Sequence, residues 1–157
     1  MVAFVWSTQA TAQIVFLADR AVPRVRLVVG PTGSAVDEVV FNVPAAQVGS
    51  GAAIAGDISV RFFMRARFTS PQPMSITVDS TGGLNSGGNS IPVTELSWTS
   101  ADGDIPAGSF DGSSSQVLYS FNTSQRLTDT LSFSYSNTSV PAAGSYTGRV
   151  TYTVVLP

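Results

Sequence analysis

An all-β sandwich is the fold class this sequence predicts, and three observations predict it. Residues 57–69 (DISVRFFMRARFT) alternate strictly, with Ile58, Val60, Phe62, Met64, Ala66 and Phe68 on one face and Asp57, Ser59, Arg61, Phe63, Arg65, Arg67 and Thr69 on the other. A period of two means a pleated strand with one side buried. The last third of the chain repeats the pattern in residues 116–121, 127–136 and 145–156. No stretch carries a helical period, and about eight or nine alternating stretches are separated by Gly, Pro, Asn and Asp turns. Strands with one apolar face need a second sheet over it. The expectation is therefore a single immunoglobulin-like or jelly-roll β-sandwich with an N-terminal strand extension.

Composition narrows the chemistry. The 157 residues suffice for one domain with its own core. There is no cysteine, so neither disulfides nor a thiolate metal site can form. There is no histidine and no lysine; the basic residues are Arg20, Arg24, Arg26, Arg61, Arg65, Arg67, Arg126 and Arg149. The commonest general base and the Schiff-base amine are both missing, and no Ser-His-Asp triad can be assembled. The expectation is no enzyme, no catalytic residues and no cofactor. Charged residues make up 11% and the formal net charge is −2, which argues against a nucleic-acid partner. No apolar run reaches the length of a membrane-spanning helix, so no membrane span is expected. Ser, Thr, Gly and Asn carry the polar balance, a mix that suits a secreted, extracellular or cell-surface β protein.

The chain divides by pattern into residues 1–18, an extension, and residues 19–157, the sandwich. In the extension Val2, Phe4, Trp6, Ala10, Ala12, Ile14 and Phe16 share one parity, interrupted by Thr8. As one strand these residues would reach roughly 56 Å, more than twice the usual strand length. They also resemble the tail of a secretory signal, with small residues Ala10-Thr11-Ala12 before Gln13, although a charged n-region is lacking. Next, Val25, Leu27 and Val29 oppose Arg24 and Arg26 in a short strand closed by the turn Gly30-Pro31-Thr32-Gly33. Residues 36–43 form another strand. Residues 44–56, rich in Ala and Gly, form a loop, since the glycines disfavour a helix.

After the central strand, Pro71 and Pro73 mark a bend and residues 74–79 continue with Met74, Ile76 and Val78 inward. Residues 80–90 form a surface loop or hairpin tip. Residues 91–98 supply Ile91, Val93 and, after a bulge at Glu95 or Leu96, Trp98. The following loop tucks Ile105 and Phe110 onto the core. The three closing strands then complete a meander, with Leu131, Phe133 and Tyr135 inward on one and Tyr146, Val150, Tyr152, Val154 and Leu156 on the last. No internal repeat is visible.

Several clusters invite a functional reading. Arg61, Arg65 and Arg67 flank Phe63 on the outward side of the central strand, which reads either as an anion or glycan surface or, more commonly, as a solvated face whose charge discourages aggregation. Asp102, Asp104 and Asp111 could offer calcium loop carboxylates. The full calcium-loop pattern is absent, and Asp-Gly is first a turn signal. Metal ligation is accordingly not expected. Trp98, Tyr119 and Tyr135 could stack on a sugar ring, but such residues more often fill cores. Asn122-Thr123-Ser124 and Asn137-Thr138-Ser139 match the glycosylation sequon.

The ending PAAGSYTGRVTYTVVLP, residues 141–157, resembles the final strand of bacterial surface-fibre (fimbrial or pilin-like) subunits and related secreted sandwich domains, through Ala143, Gly144, Tyr146, Gly148, Val150 and Tyr152. The resemblance covers little more than the last strand. The chain departs from many such subunits in having no cysteine pair and in the position of its tyrosine. What the resemblance implies is a structural subunit of an extracellular filament, a homopolymer built by donor-strand exchange in which the extension of one subunit completes the sheet of the next. Val2, Phe4, Trp6, Ala10, Ala12, Ile14 and Phe16 would then line the subunit interface. The alternatives are a secreted carbohydrate-binding module and a viral or phage coat or decoration protein.

Overall fold

The structure is a computed structural model that describes residues 2–9, 24–30 and 36–155. Within these residues twelve strands follow in order: β1 (Val2–Gln9), β2 (Arg24–Val29), β3 (Val36–Val43), β4 (Ile54–Arg67), β5 (Met74–Asp79), β6 (Leu84–Ser86), β7 (Asn89–Ile91), β8 (Leu96–Ser100), β9 (Gly108–Ser109), β10 (Gln116–Phe121), β11 (Gln125–Tyr135) and β12 (Ser145–Val155). One sheet runs β10-β5-β12-β1-β3, with the small β6-β7 hairpin attached to β12; the other runs β2-β4-β11-β8-β9. All pairings are antiparallel except that of β1 with β12. The expected β-sandwich is therefore present.

Alternation determines which side chains meet between the sheets. Val60, Phe62, Met64 and Ala66 of β4, Leu127, Leu131, Phe133 and Tyr135 of β11, and Tyr146, Val150 and Tyr152 of β12 are all buried. Aromatic pairs bridge the layers: Phe62 meets Tyr152 edge-on at 4.8 Å between centroids, and Phe41 meets Tyr135 at 6.5 Å. Such a pair adds about 0.5–1.5 kcal/mol beyond its buried area. The loop after β8 lays Ile105 and Phe110 into the core, as expected, where Phe110 stacks on Phe133 and packs against Trp98.

Some boundaries differ from the sequence pattern, each for a local reason. The central strand covers Ile54–Arg67 rather than residues 57–69. The register between β4 and β11 shifts between Ser132 and Ser134, which turns Ile58 out of the core and leaves it 44% exposed. Phe68 lies past the strand end, half-buried and stacked on Phe121 at 6.0 Å. In place of a bulge at Glu95 or Leu96, a short 3-10 turn over Val93–Glu95 precedes β8. The glycine-rich stretch at 80–90 holds the β6-β7 hairpin. Gly87 and Gly88 both take positive φ at its two-residue turn (53° and 91°), backbone that side-chain-bearing residues adopt reluctantly.

Val2–Gln9, which the sequence pattern assigned to an extension, is paired on both sides within this chain: antiparallel to β3 and parallel to β12. Ala10, Ala12, Ile14 and Phe16, the proposed cleavage point before Gln13, and Leu156 lie outside the described residues.

Candidate interaction surfaces

Two features of the sandwich could engage a partner: the slot that β1 fills and the outward face of the other sheet. The slot is defined by backbone. β1 makes six registered pairs with β12, from Ala3 opposite Ser145 to Thr8 opposite Val150, and eight with β3, from Val2 opposite Val43 to Gln9 opposite Val36. Within the sheet β3 has no other neighbour. Besides the Phe41–Tyr135 contact, it is linked to the other layer through β4, where Asp57 Oδ1 accepts the Val40 N–H at 2.7 Å and Gly56 lies against the Val39 side chain. Of the predicted interface residues, Val2, Phe4 and Trp6 occupy alternate positions of β1. Trp6 stands in register beside Gly148 of β12.

The residues of the C-terminal resemblance have plain structural duties. Tyr146 is buried and its hydroxyl donates to the Ala142 carbonyl at 2.9 Å. Gly148 lies next to Thr147, which pairs with Asn85 of β6, and a Cβ there would stand 2.4 Å from the Gly83 carbonyl oxygen. Val150 and Tyr152 face the core.

On the other sheet, strand order gathers cations that the sequence separates. Arg26 of β2, Arg65 of β4 and Arg126 of β11 lie in one row across three adjacent strands; Arg24 pairs with Arg67 in the next register, and Arg61 lies opposite Thr130. All six guanidinium-bearing side chains are exposed. Among the described residues no carboxylate pairs with any of them. Phe63 sits half-buried between Val28 and Thr128, and the Arg126 guanidinium lies 5.3 Å from its ring centroid, a cation–π contact. Two shallow depressions flank the ring, one edged by Arg65, Arg67 and Arg126, the other by Arg26 and Arg61. The sequence pattern had found only Arg61, Arg65 and Arg67 around Phe63.

The buried polar groups are structural centres. Asp129 points inward from β11 with no solvent exposure. Its carboxylate accepts the Ser100 hydroxyl at 2.6 Å and the backbone N–H of Ile105, Asp102 and Thr130. Burial is the largest influence and opposes ionisation, but these four hydrogen bonds together outweigh it and hold the carboxyl below its ordinary value. Glu95 behaves alike: burial raises its pKa, while bonds from Ser139, Ser136 and Thr138 bring it down overall. Asn137, fully buried at φ 56°, donates through Nδ2 to the Gln47 and Ala52 carbonyls and the Ser50 hydroxyl, and accepts the Gly49 N–H.

These contacts decide the remaining candidates. Trp98 and Tyr135 are core residues, not sugar platforms: both are buried, and Trp98 Nε1 donates to the Pro106 carbonyl at 2.9 Å. Tyr119 is half-buried and stacks on Phe121. Among the described residues, Asp102, Asp104 and Asp111 are not brought together with each other or with other acids into a metal-holding group. Asp111 instead closes a local turn on Ser113, whose hydrogen bonds hold its carboxyl low. The Asn137 sequon is closed to modification because its amide nitrogen is buried and engaged, whereas Asn122 is exposed between β10 and β11. Among the described residues no helix is long and apolar enough to cross a membrane. No protein-family model matches the chain, and no curated protein matches it significantly.

Proposed function

We propose that this chain is a structural subunit of an extracellular filament in which β1 passes between neighbouring copies. The observation that carries the reading is the place of β1. It lies between β3 and β12, and without it β3 would have no neighbour in its sheet and the inner edge of β12 would stand open. Open inner edges are strong templates for an extended segment, since main-chain hydrogen bonds supply affinity and alternate side-chain positions supply specificity. A strand that fills this slot in its own chain can fill it in a second copy with the same pairings, and each exchange leaves one strand free to continue the series. The resemblance of residues 141–157 to fimbrial subunits supports the same reading, and so does a composition suited to an extracellular β protein.

The absence of cysteine makes the test clean. Ala3 and Ser145 are registered neighbours on β1 and β12, so Ala3→Cys with Ser145→Cys places two thiols at a distance a disulfide can span. Oxidation of assembled protein should give a ladder of covalent multimers on a non-reducing gel. Deleting residues 1–12 should abolish assembly, and a peptide of residues 1–18 should bind the truncated chain and raise its unfolding midpoint. Cross-links confined to single chains at every concentration, or unchanged fibres from the truncated protein, would end the proposal.

A further inference from the structure

We propose that the outward face of β2, β4 and the first half of β11 binds a linear acidic polysaccharide through its sulfate or carboxylate groups. The face lies on the sheet that does not contain β1, so the inference does not rest on strand exchange.

Ordinary solvation and edge protection do not account for this arrangement. Charged residues guard exposed strand edges, which explains Arg24 and Arg26 on the edge strand β2. Arg61, Arg65 and Arg67 lie on β4, between β2 and β11, where there is no edge to guard; Arg126 lies on the part of β11 that β8 does not reach, so edge protection accounts for it as it does for Arg24 and Arg26, but not for the three arginines of β4. Like charges directly across a strand pair destabilise a sheet, yet Arg24 faces Arg67, and Arg65 faces both Arg26 and Arg126. A chain of net charge −2 has thus placed six of its eight cations on one face, against local repulsion. A bound polyanion relieves that repulsion.

The kind of cation points the same way. Every basic residue of the chain is arginine, whose planar fork binds carboxylate and sulfate through two parallel hydrogen bonds. Phe63 restrains the Arg126 fork by holding it over the ring. The class of polymer follows from what surrounds the arginines. Nucleic acid would call for aromatic faces open to bases, and the single outward ring is already covered by Arg126. An anionic membrane would call for projecting apolar side chains beside the cations, and the face offers Val28 and Phe63, both half-buried. What continues the face along β11 and its neighbours is a field of hydroxyls: Thr128, Thr130 and Ser132, with Ser59 and Thr99 beside Ser132. Arginines adjoining a hydroxyl field match a polymer that alternates oxyanions with hydroxyl groups. Asp104, whose carboxylate meets the Thr128 N–H, stands at the rim and limits the basic area on that side.

The test is calorimetric titration of the full chain with dextran sulfate, polygalacturonate and neutral dextran at several salt concentrations. Saturable binding to one or both acidic polymers, weakening as salt rises, with none to neutral dextran, is expected; the tighter of the two identifies the oxyanion. Arg65→Ser and Arg126→Ser should each weaken binding about tenfold, the worth of a charged hydrogen bond. Phe63→Ala should also weaken it although no charge is lost. Arg149→Ser, on the outward side of β12, should leave it unchanged, and circular dichroism is to check that all four variants fold. Equal losses from Arg149→Ser and Arg65→Ser, no effect of Phe63→Ala, or tighter binding to a single-stranded oligonucleotide or to phosphatidylserine vesicles would overturn the proposal.

Discussion

The Asp129 carboxylate and the backbone N–H of Ile105 meet at 2.7 Å, both residues without solvent exposure. This bond, with those from Ser100 and Asp102, fastens the loop after β8 to the free side of β11, where that strand has no sheet partner for residues 125–130. Asp129→Asn puts an amide N–H₂ against backbone donors and should cost about 3 kcal/mol, read from the urea midpoint. The carboxyl titrates below the ordinary 3.8 in the folded protein, so the unfolded chain takes up the proton first as pH falls. The stabilisation is complete above that ordinary value and disappears as pH drops through the lower folded value. Unfolding midpoints of the native protein should therefore fall more steeply below about pH 4 than those of the asparagine variant.

Asn137 should separate backbone from side-chain effects. Asn137→Ala keeps an L side chain at φ 56° and removes the amide that binds Gln47, Ser50 and Ala52. A loss of about 3 kcal/mol is expected, while Asn137→Gly, which relieves the backbone term, should lose about 1 kcal/mol less. Chemical denaturation of the two variants side by side checks the difference.

The two buried tyrosines of β12 should respond in opposite directions to loss of the hydroxyl. Tyr152 OH is buried without a hydrogen-bond partner, and burial pushes its pKa far up, so it stays protonated. Tyr152→Phe keeps the edge-on contact with Phe62 and should leave stability unchanged or raise it by up to about 1 kcal/mol. Tyr146→Phe breaks the bond to Ala142 and should lower it by about 1 kcal/mol. Thermal unfolding of the pair measures both signs at once.

Gly148 tests the seat of the β6-β7 hairpin beside β12. A methyl group there would stand 2.4 Å from one backbone oxygen and 2.8 Å from Leu84 Cδ2, and backbone cannot swing aside as a side-chain tip can. Gly148→Ala should cost about 1–3 kcal/mol, the usual range for overpacking. An unchanged melting temperature would mean that the β6-β7 hairpin lifts freely from the sheet.

Local pattern made the strands legible because alternation is a property of neighbouring residues. The ranges expected for β5 and β10 coincide with those found, β11 differs by a residue or two at its ends, and β12 matches over all of its described residues. The buried Asp129 shares the parity of Leu127 and Leu131, so its inward direction was implicit in the alternation; its donors from Ser100, Asp102 and Ile105 are brought to it by the fold and by loop geometry that no spacing reveals. The arginine row was hidden for a different reason. Arg26, Arg65 and Arg126 become neighbours only through the order β2-β4-β11, and strand order is decided by packing over long separations rather than by pattern within a strand. The place of β1 was equally out of reach, since period two says that a strand has a buried side but not whose sheet it joins.

The parallel contact between β1 and β12 has a temporal meaning as well. Synthesis on the ribosome delivers β1 early and β12 only after the other ten strands. One wall of its berth is thus missing for most of translation, and such distant contacts are slow to form. Under the strand exchange proposed above, nearby chains with finished berths would compete for it during that wait, so crowding of the protein would bear on how often a molecule closes on itself.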